Sequence, residues 1–168
     1  MKQLSHEDIQ NNHQQFPITI VCDAIRTPGN IGMCFRIAES FGVSKIYLHQ
    51  SSPSTENNTV KRTARNTINQ IEHTIYTNFN DTIRKLKEEG NTIIGIEITD
   101  KSIDIQDFNF RNLKKIVLLL GSERNGIKNI EYLDHSICIP MFGRNSSMNV
   151  IHSLSIALYE ATNQLKKN

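Results

Sequence analysis

No stretch of the sequence reaches the ~18 consecutive apolar residues that a membrane-crossing helix needs, although hydrophobic residues fill 38% of its 168 positions. A helical membrane span is thereby excluded, while enough apolar material remains for one compact domain with its own core. Cysteine is scarce. Cys22, Cys34 and Cys138 are widely spaced, odd in number and without a Cys-x-x-Cys pair, which argues against a disulfide framework or a zinc site and predicts buried, reduced thiols. The six histidines are scattered, with no two at metal-ligand spacing on a helix, so no metal is expected. Charge of one sign is lacking too: 19 Lys and Arg against 17 Asp and Glu leave a net +2, too little to identify a nucleic-acid partner by itself. Residues 1–15 form a polar segment without the apolar core of a signal peptide, so the expected setting is the cytoplasm.

Short runs rich in β-branched residues alternate with helix-patterned stretches. That alternation predicts an α/β fold: a single domain over 16–168 with a mostly parallel sheet flanked by helices. Strands are expected at 18–22, 45–49, 71–76, 92–98, 116–120 and 136–139. The run 116–120 is continuously apolar, as a strand covered on both faces must be, and is placed mid-sheet. Ile31, Cys34, Phe35, Ala38 and Phe41 follow the spacing of one buried helix face and predict a helix over 31–41, ended by Gly42. Further helices are expected at 80–89, before Gly90, and at 149–165. Residues 50–58, dense in Ser, Pro, Thr and Asn, read as a loop. Lys61, Arg62 and Arg65 follow it; they either track a phosphate backbone or form a solvated charged face.

Three segments carry candidate chemistry. In the first, residues 23–36, a strand runs through a Pro-Gly loop directly into a helix, a junction whose free N–H groups suit anions. It lacks the further glycines of a dinucleotide fingerprint and the Lys-Ser/Thr of a Walker A loop. On a helical wheel Arg36 lies opposite the apolar face, free to meet a ligand or simply solvated. The second, residues 116–127, delivers Ser122, Glu123 and Arg124 to the carboxyl edge of the sheet, where ligands of open α/β sheets bind; alone, Glu123 reads as a turn or helix-cap residue. The third, residues 137–150, is a strand, an irregular loop and a helix start at which Ser146, Ser147 and Asn149 serve as caps or as ligand contacts.

Taken together and in this order, the segments resemble the three motifs of the SpoU/TrmH family, the knotted RNA ribose 2′-O-methyltransferases of the SPOUT superfamily. The matching residues are Asn30, Gly32 and Arg36; Gly121, Glu123 and Gly126; and Ile139, Pro140, Met141, Gly143, Ser147, Met148, Asn149 and Val150. The resemblance runs over 18–161. Thr27 before the proline, Met148 in place of leucine, and Ile151 and His152 in place of small residues depart from the pattern.

The resemblance implies a deep trefoil knot over about 116–165, S-adenosylmethionine as methyl donor, an RNA substrate and a homodimer joined through the C-terminal helices. It further implies a donor site formed by Ile96, Gly121, Ile139, Ser147 and Met148, with Glu97 nearby. Arg36 would clamp the RNA phosphate beside the reactive ribose and Asn30 would orient Arg36 or the ribose. Glu123 would lock the arginine or its loop, and Asn149 would hold the active-site loops together. Lys61, Arg62, Arg65 and Arg124 would add RNA contacts. Relatives that act on ribosomal RNA often carry an added N-terminal domain, so this one-domain chain is expected to act on tRNA. Competing readings are a knotted enzyme that methylates an RNA base, a non-catalytic RNA-binding relative, and a flavodoxin-like nucleotide binder.

Overall fold

The structure is a computed structural model that describes residues 1–4, 8 and 13–166. Of the polar segment expected over 1–15, residues 5–7 and 9–12 lie outside the described residues. The chain runs through β1 (Phe16–Cys22), α1 (Pro28–Ser40), β2 (Val43–His49), α2 (Asn58–Ala64), β3 (Glu72–Tyr76), α3 (Phe79–Glu88), β4 (Thr92–Ile96), β5 (Ile103–Asp104), β6 (Ile116–Leu120), β7 (His135–Cys138) and α4 (Val150–Leu165). The strands form one sheet in the order β3-β2-β1-β6-β4-β7-β5, and every pairing is parallel.

Strand periodicity divides the core into two layers. Ile18, Ile20 and Cys22 of β1 and Ile116, Leu118 and Leu120 of β6 face the layer formed with α1, α2 and α4; Val21, Val117 and Leu119 face the layer under α3. All five residues of β6 are buried, and β6 pairs on both sides, with β1 and with β4, so the expected mid-sheet position is observed. The apolar stripe of α1 is Ile31, Cys34, Phe35 and Ala38, and that of α4 is Ile151, Leu154, Ala157, Leu158 and Ala161. The thiols of Cys22 and Cys34 are free and buried, and Cys138 is free and half-buried. Among the described residues no helix is long and apolar enough to cross a membrane.

The structure adds two elements that the sequence pattern did not signal. Residues 58–64 form a helix of which only the first, Asn58, fell in the expected loop over 50–58: Asn57 caps α2 by accepting from the N–H groups of Thr59 and Val60. This seven-residue helix buries only Val60 and Ala64, too few apolar positions to establish a helical period. The two-residue β5 is likewise too short to alternate. The ends of several elements shift by one to three residues, α1 starting at Pro28 rather than Ile31; β4 stops at Ile96, so Glu97 and Ile98 leave the strand and enter the loop at its carboxyl end. Gly32, at the centre of the first motif, has a packing reason to be glycine: a Cβ there would lie 1.9 Å from Thr63 Oγ1 and 2.5 Å from the Val60 carbonyl oxygen. Only a residue without a side chain lets α1 and α2 approach so closely.

Candidate active site

The chain steps from β1 to β2 and β3 on one side of the sheet and places β6, β4 and β7 on the other, so the direction of winding reverses between β1 and β6. A ligand crevice belongs at the carboxyl ends of such strands. A cavity of about 370 Å³ lies there, beyond β4, β6 and β7, within the ~300–1,000 Å³ of small-molecule sites. Its wall contains Ile96, Glu97, Gly121, Ile139, Ser147 and Met148, the six residues expected around a donor, together with Glu123, Arg124 and Asn149.

Each part of the wall has a local cause. Gly121 ends β6 where the following turn doubles back, with Ser122 and Gly126 exchanging main-chain hydrogen bonds of 3.1 and 3.0 Å. A Cβ on Gly121 would lie 2.0 Å from the Gly126 carbonyl carbon, so the backbone tolerates no side chain there. Glu97 props the same turn from the β4 side: its Oε2 accepts from the Ile127 N–H at 2.8 Å and its Oε1 from the Ile98 N–H at 3.0 Å. The Glu97 carbonyl accepts from Ser102 and Ser136. Asn149 caps α4, accepting from the Ile151 N–H at 2.9 Å. Residues 142–149, which lead into that cap, are all exposed.

Glu123 reaches away from its own turn to the loop between β1 and α1. Oε2 accepts from the Arg26 N–H at 3.1 Å, and Oε1 accepts from the Thr27 N–H and from Asn30 Nδ2, both at 3.0 Å. Asn149 Nδ2 in turn donates to Asn30 Oδ1 at 3.3 Å. Residues from all three motifs thus meet in one hydrogen-bonded chain. Partial burial pushes the Glu123 carboxyl up, but the N–H groups of Arg26, Glu123 itself and Thr27 and the Asn30 amide outweigh it, and its pKa falls from 4.5 to about 2. Ala24, in the loop so held, has φ of +59°, a left-handed conformation that costs a non-glycine residue roughly 1–2 kcal/mol.

Of the alternatives that the resemblance left for Glu123, the geometry shows the loop held, not the arginine. Arg36 is exposed on α1, and its side chain makes no hydrogen bond or ion pair among the described residues. It lies six residues beyond Asn30, about 9 Å along the helix, and outside the cavity wall. It does lie one turn beyond Gly32 on the α1 face that meets α2. Lys61 and Arg62 belong to α2, Arg65 follows its last residue, and all three are exposed; Lys61 is paired with Glu56 at 2.5 Å. Sequence reasoning did not single out the Arg26 and Thr27 main chain, which carries no side-chain signature. It also missed Ser153, a wall residue one turn beyond Asn149, although that i+4 spacing was available. Among the described residues no cluster of three or more His, Cys, Asp or Glu side chains is placed to hold a metal ion.

The fold and the crevice define a doubly wound α/β protein with a cavity at its switch point. The SpoU rRNA Methylase family model matches residues 17–159, and the chain belongs to that family. The chain is 31% identical over 160 residues to the 23S rRNA (guanosine-2′-O-)-methyltransferase RlmB of Neisseria meningitidis, covering 94% of this chain and 63% of that protein. It spans about 60–64% of the length of the curated relatives it matches. Among solved structures, an AdoMet-bound rRNA methyltransferase from Sinorhizobium meliloti superposes with a TM-score of 0.83 at 26% identity, over 91% of this chain and 58% of that one. The TrmH/SpoU tRNA modifying enzyme of A. aeolicus shares the fold, with a TM-score of 0.82 at 22% identity over 92% of this chain and 78% of that one.

Proposed function

We propose that this chain transfers the methyl group of S-adenosylmethionine to a ribose 2′-hydroxyl of RNA. The observation that carries the reading is the cavity itself. Six expected donor-site residues from four separate segments line one space, and its rim is tied to the Asn30 loop through Glu123 and Asn149. The wall suits the donor: Ile96, Ile137, Ile139 and Met148 offer apolar surface for an adenine, and Gly121 lines the same space with main chain alone. When bound, S-adenosylmethionine supplies an electrophilic methyl on a sulfonium.

The protein's part is to position and to exclude water. Glu123 and Asn149 fix the loop at 26–30 against the cavity, so the start of α1 has one orientation relative to the donor site. Arg36 presents a guanidinium, a cation with five donors and no acceptor, so it clamps a phosphate oxygen rather than serving as a free-standing base. In the transfer the 2′-oxygen would form its bond to the methyl carbon as the methyl–sulfur bond breaks and S-adenosylhomocysteine leaves, and the hydroxyl proton would be relayed past Arg36 and its clamped phosphate to water. Arg124 at the rim and Arg62, Arg65 and Lys61 on and beside α2 extend the phosphate contacts.

The proposal includes the trefoil knot over about 116–165, a cytoplasmic setting, and a homodimer formed through α4, whose outer face exposes Ile156 and Tyr159. The tRNA expectation rested on the length of the chain, and a chain that spans only part of its relatives gives that ground no weight. The RlmB relatives are named for 23S rRNA, so rRNA and tRNA stand as equal candidates. The test is incubation with labelled donor and, separately, with tRNA and rRNA lacking their native methyl groups, followed by nucleoside digestion. A label on ribose is expected. A methylated base with unmodified ribose, or no transfer to either RNA, rejects the reading.

A further inference from the structure

Beyond the N-terminal Met1, the most exposed large apolar side chain among the described residues is Phe142, 99% accessible. It stands in the loop between β7 and α4. Met141 on one side of it and Ser147, Met148 and Asn149 on the other belong to the cavity wall, so the ring projects from the rim of the site. Its neighbours Gly143, Arg144, Asn145 and Ser146 are exposed and carry no apolar side chain. The ring is the single aromatic of the loop between β7 and α4, with the cation of Arg144 two residues along the chain, and the other exposed apolar residues at the site, Met148 and Ile98, belong to the cavity wall. The exposed apolar residues of α4, Ile156 and Tyr159, form a separate set on a helix face.

We infer that Phe142, with Arg144 beside it, is a stacking platform for an unpaired RNA base at the rim of the cavity. The inference rests on the RNA-modifying function proposed above and adds how the nucleotide is gripped. A ribose 2′-hydroxyl can reach the cavity only if its strand is held open there. Single-stranded RNA is held by bases stacked on aromatic side chains while cations neutralise the adjoining phosphates. An aromatic stack tolerates any base, so Phe142 contributes grip and positioning rather than base identity.

The chain contains no tryptophan, so Phe142→Trp introduces a single indole reporter at the rim. Titration with a mixed-sequence single-stranded RNA nonamer is expected to quench its fluorescence saturably, whereas an abasic strand of equal length and inorganic polyphosphate leave it unchanged. Ile75→Trp, on the edge strand β3, serves as the remote control and is expected to show no quenching. Phe142→Ala and Phe142→Leu should weaken RNA affinity by roughly tenfold, the scale of one lost base–aromatic stack, with donor affinity and oligomeric state unchanged. Equal quenching by the abasic strand overturns the inference, as does unaltered RNA affinity in both variants. Dissociation of a dimer by Phe142→Ala would make the ring a contact between copies, and a matching loss of donor affinity would make it a cover over the donor; both overturn it. Failure of the wild-type chain to bind or methylate any RNA removes the functional reading itself and is recognised before any variant is made.

Discussion

Asn30 Nδ2 donates to Glu123 Oε1 at 3.0 Å across 93 residues of sequence. The contact ties the first turn of α1, which follows β1, to the turn after β6, and β1 and β6 are the two strands at which the sheet reverses its winding. Because Asn149 donates to the same Asn30, a displacement of any of the three disturbs both loops and the cap of α4.

Glu123→Gln should leave the fold intact and reduce turnover by roughly 10- to 100-fold, the scale of a small misplacement of reacting groups. A glutamine presents an NH2 where one carboxylate oxygen now accepts an N–H, so Arg26 or Thr27 loses its partner. The stability cost is about 1 kcal/mol, because the group is largely exposed. With its pKa lowered from 4.5 to about 2, the carboxylate contributes stability above about pH 4.5, and this is lost as pH falls through about 2. Acid titrations of wild type and variant, followed by circular dichroism, should therefore converge over that window. A constant difference between them would place the effect elsewhere.

Asn149 has two separable tasks. Asn149→Ala removes the α4 cap and should cost about 1 kcal/mol in a denaturant melt. Asn149→Asp keeps the acceptor for the Ile151 N–H but loses the donor to Asn30, so it should retain most of the stability while losing turnover. Equal activity in wild type and Asn149→Asp would show that the Asn30 contact is idle.

Gly121→Ala should be enough to weaken donor binding, without any bulkier residue. The added Cβ would lie 2.0 Å from backbone at Gly126, so the turn that Glu97 props must move. Isothermal calorimetry with S-adenosylhomocysteine should show at least about a tenfold loss of affinity, alongside the 1–3 kcal/mol destabilisation usual for overpacking. Unaltered affinity would put the donor elsewhere.

Arg36→Ala should leave donor affinity within a factor of about two and stability within about 0.5 kcal/mol, as for an exposed surface substitution. Turnover should fall severely. Arg36→Lys should recover only part of it, because an ammonium does not reproduce the bidentate grip of a guanidinium on phosphate. Near-wild-type methylation by Arg36→Ala at saturating donor would remove Arg36 from the mechanism.

Light scattering should return twice the 19.2 kDa of one chain. Tyr159→Arg on the outer face of α4 should shift the protein towards monomer and lower turnover with it. A wild-type monomer at working concentration contradicts the proposed dimer.

Local pattern made β1, β2, β6, α1, α3 and α4 legible in the sequence: β6 is continuously apolar, the apolar residues of the others recur at the spacing of a buried face, and Gly42 and Gly90 mark where α1 and α3 stop. The order of the three motifs carried a family resemblance, since residue types and short spacings survive in a linear string, and that resemblance supplied Asn30, Glu123, Asn149 and the cavity residues as candidates. The α2 helix escaped because Val60 and Ala64 are its only buried positions, and β5 because two residues cannot alternate. What only the tertiary structure decided is who holds whom. Glu123 grips the N–H groups of Arg26 and Thr27, and Glu97 that of Ile127, through a main chain that every residue possesses and no spacing advertises. Those partners meet because parallel pairing sets β1 beside β6 and β6 beside β4, a long-range choice made by burial of whole strands rather than by any local pattern.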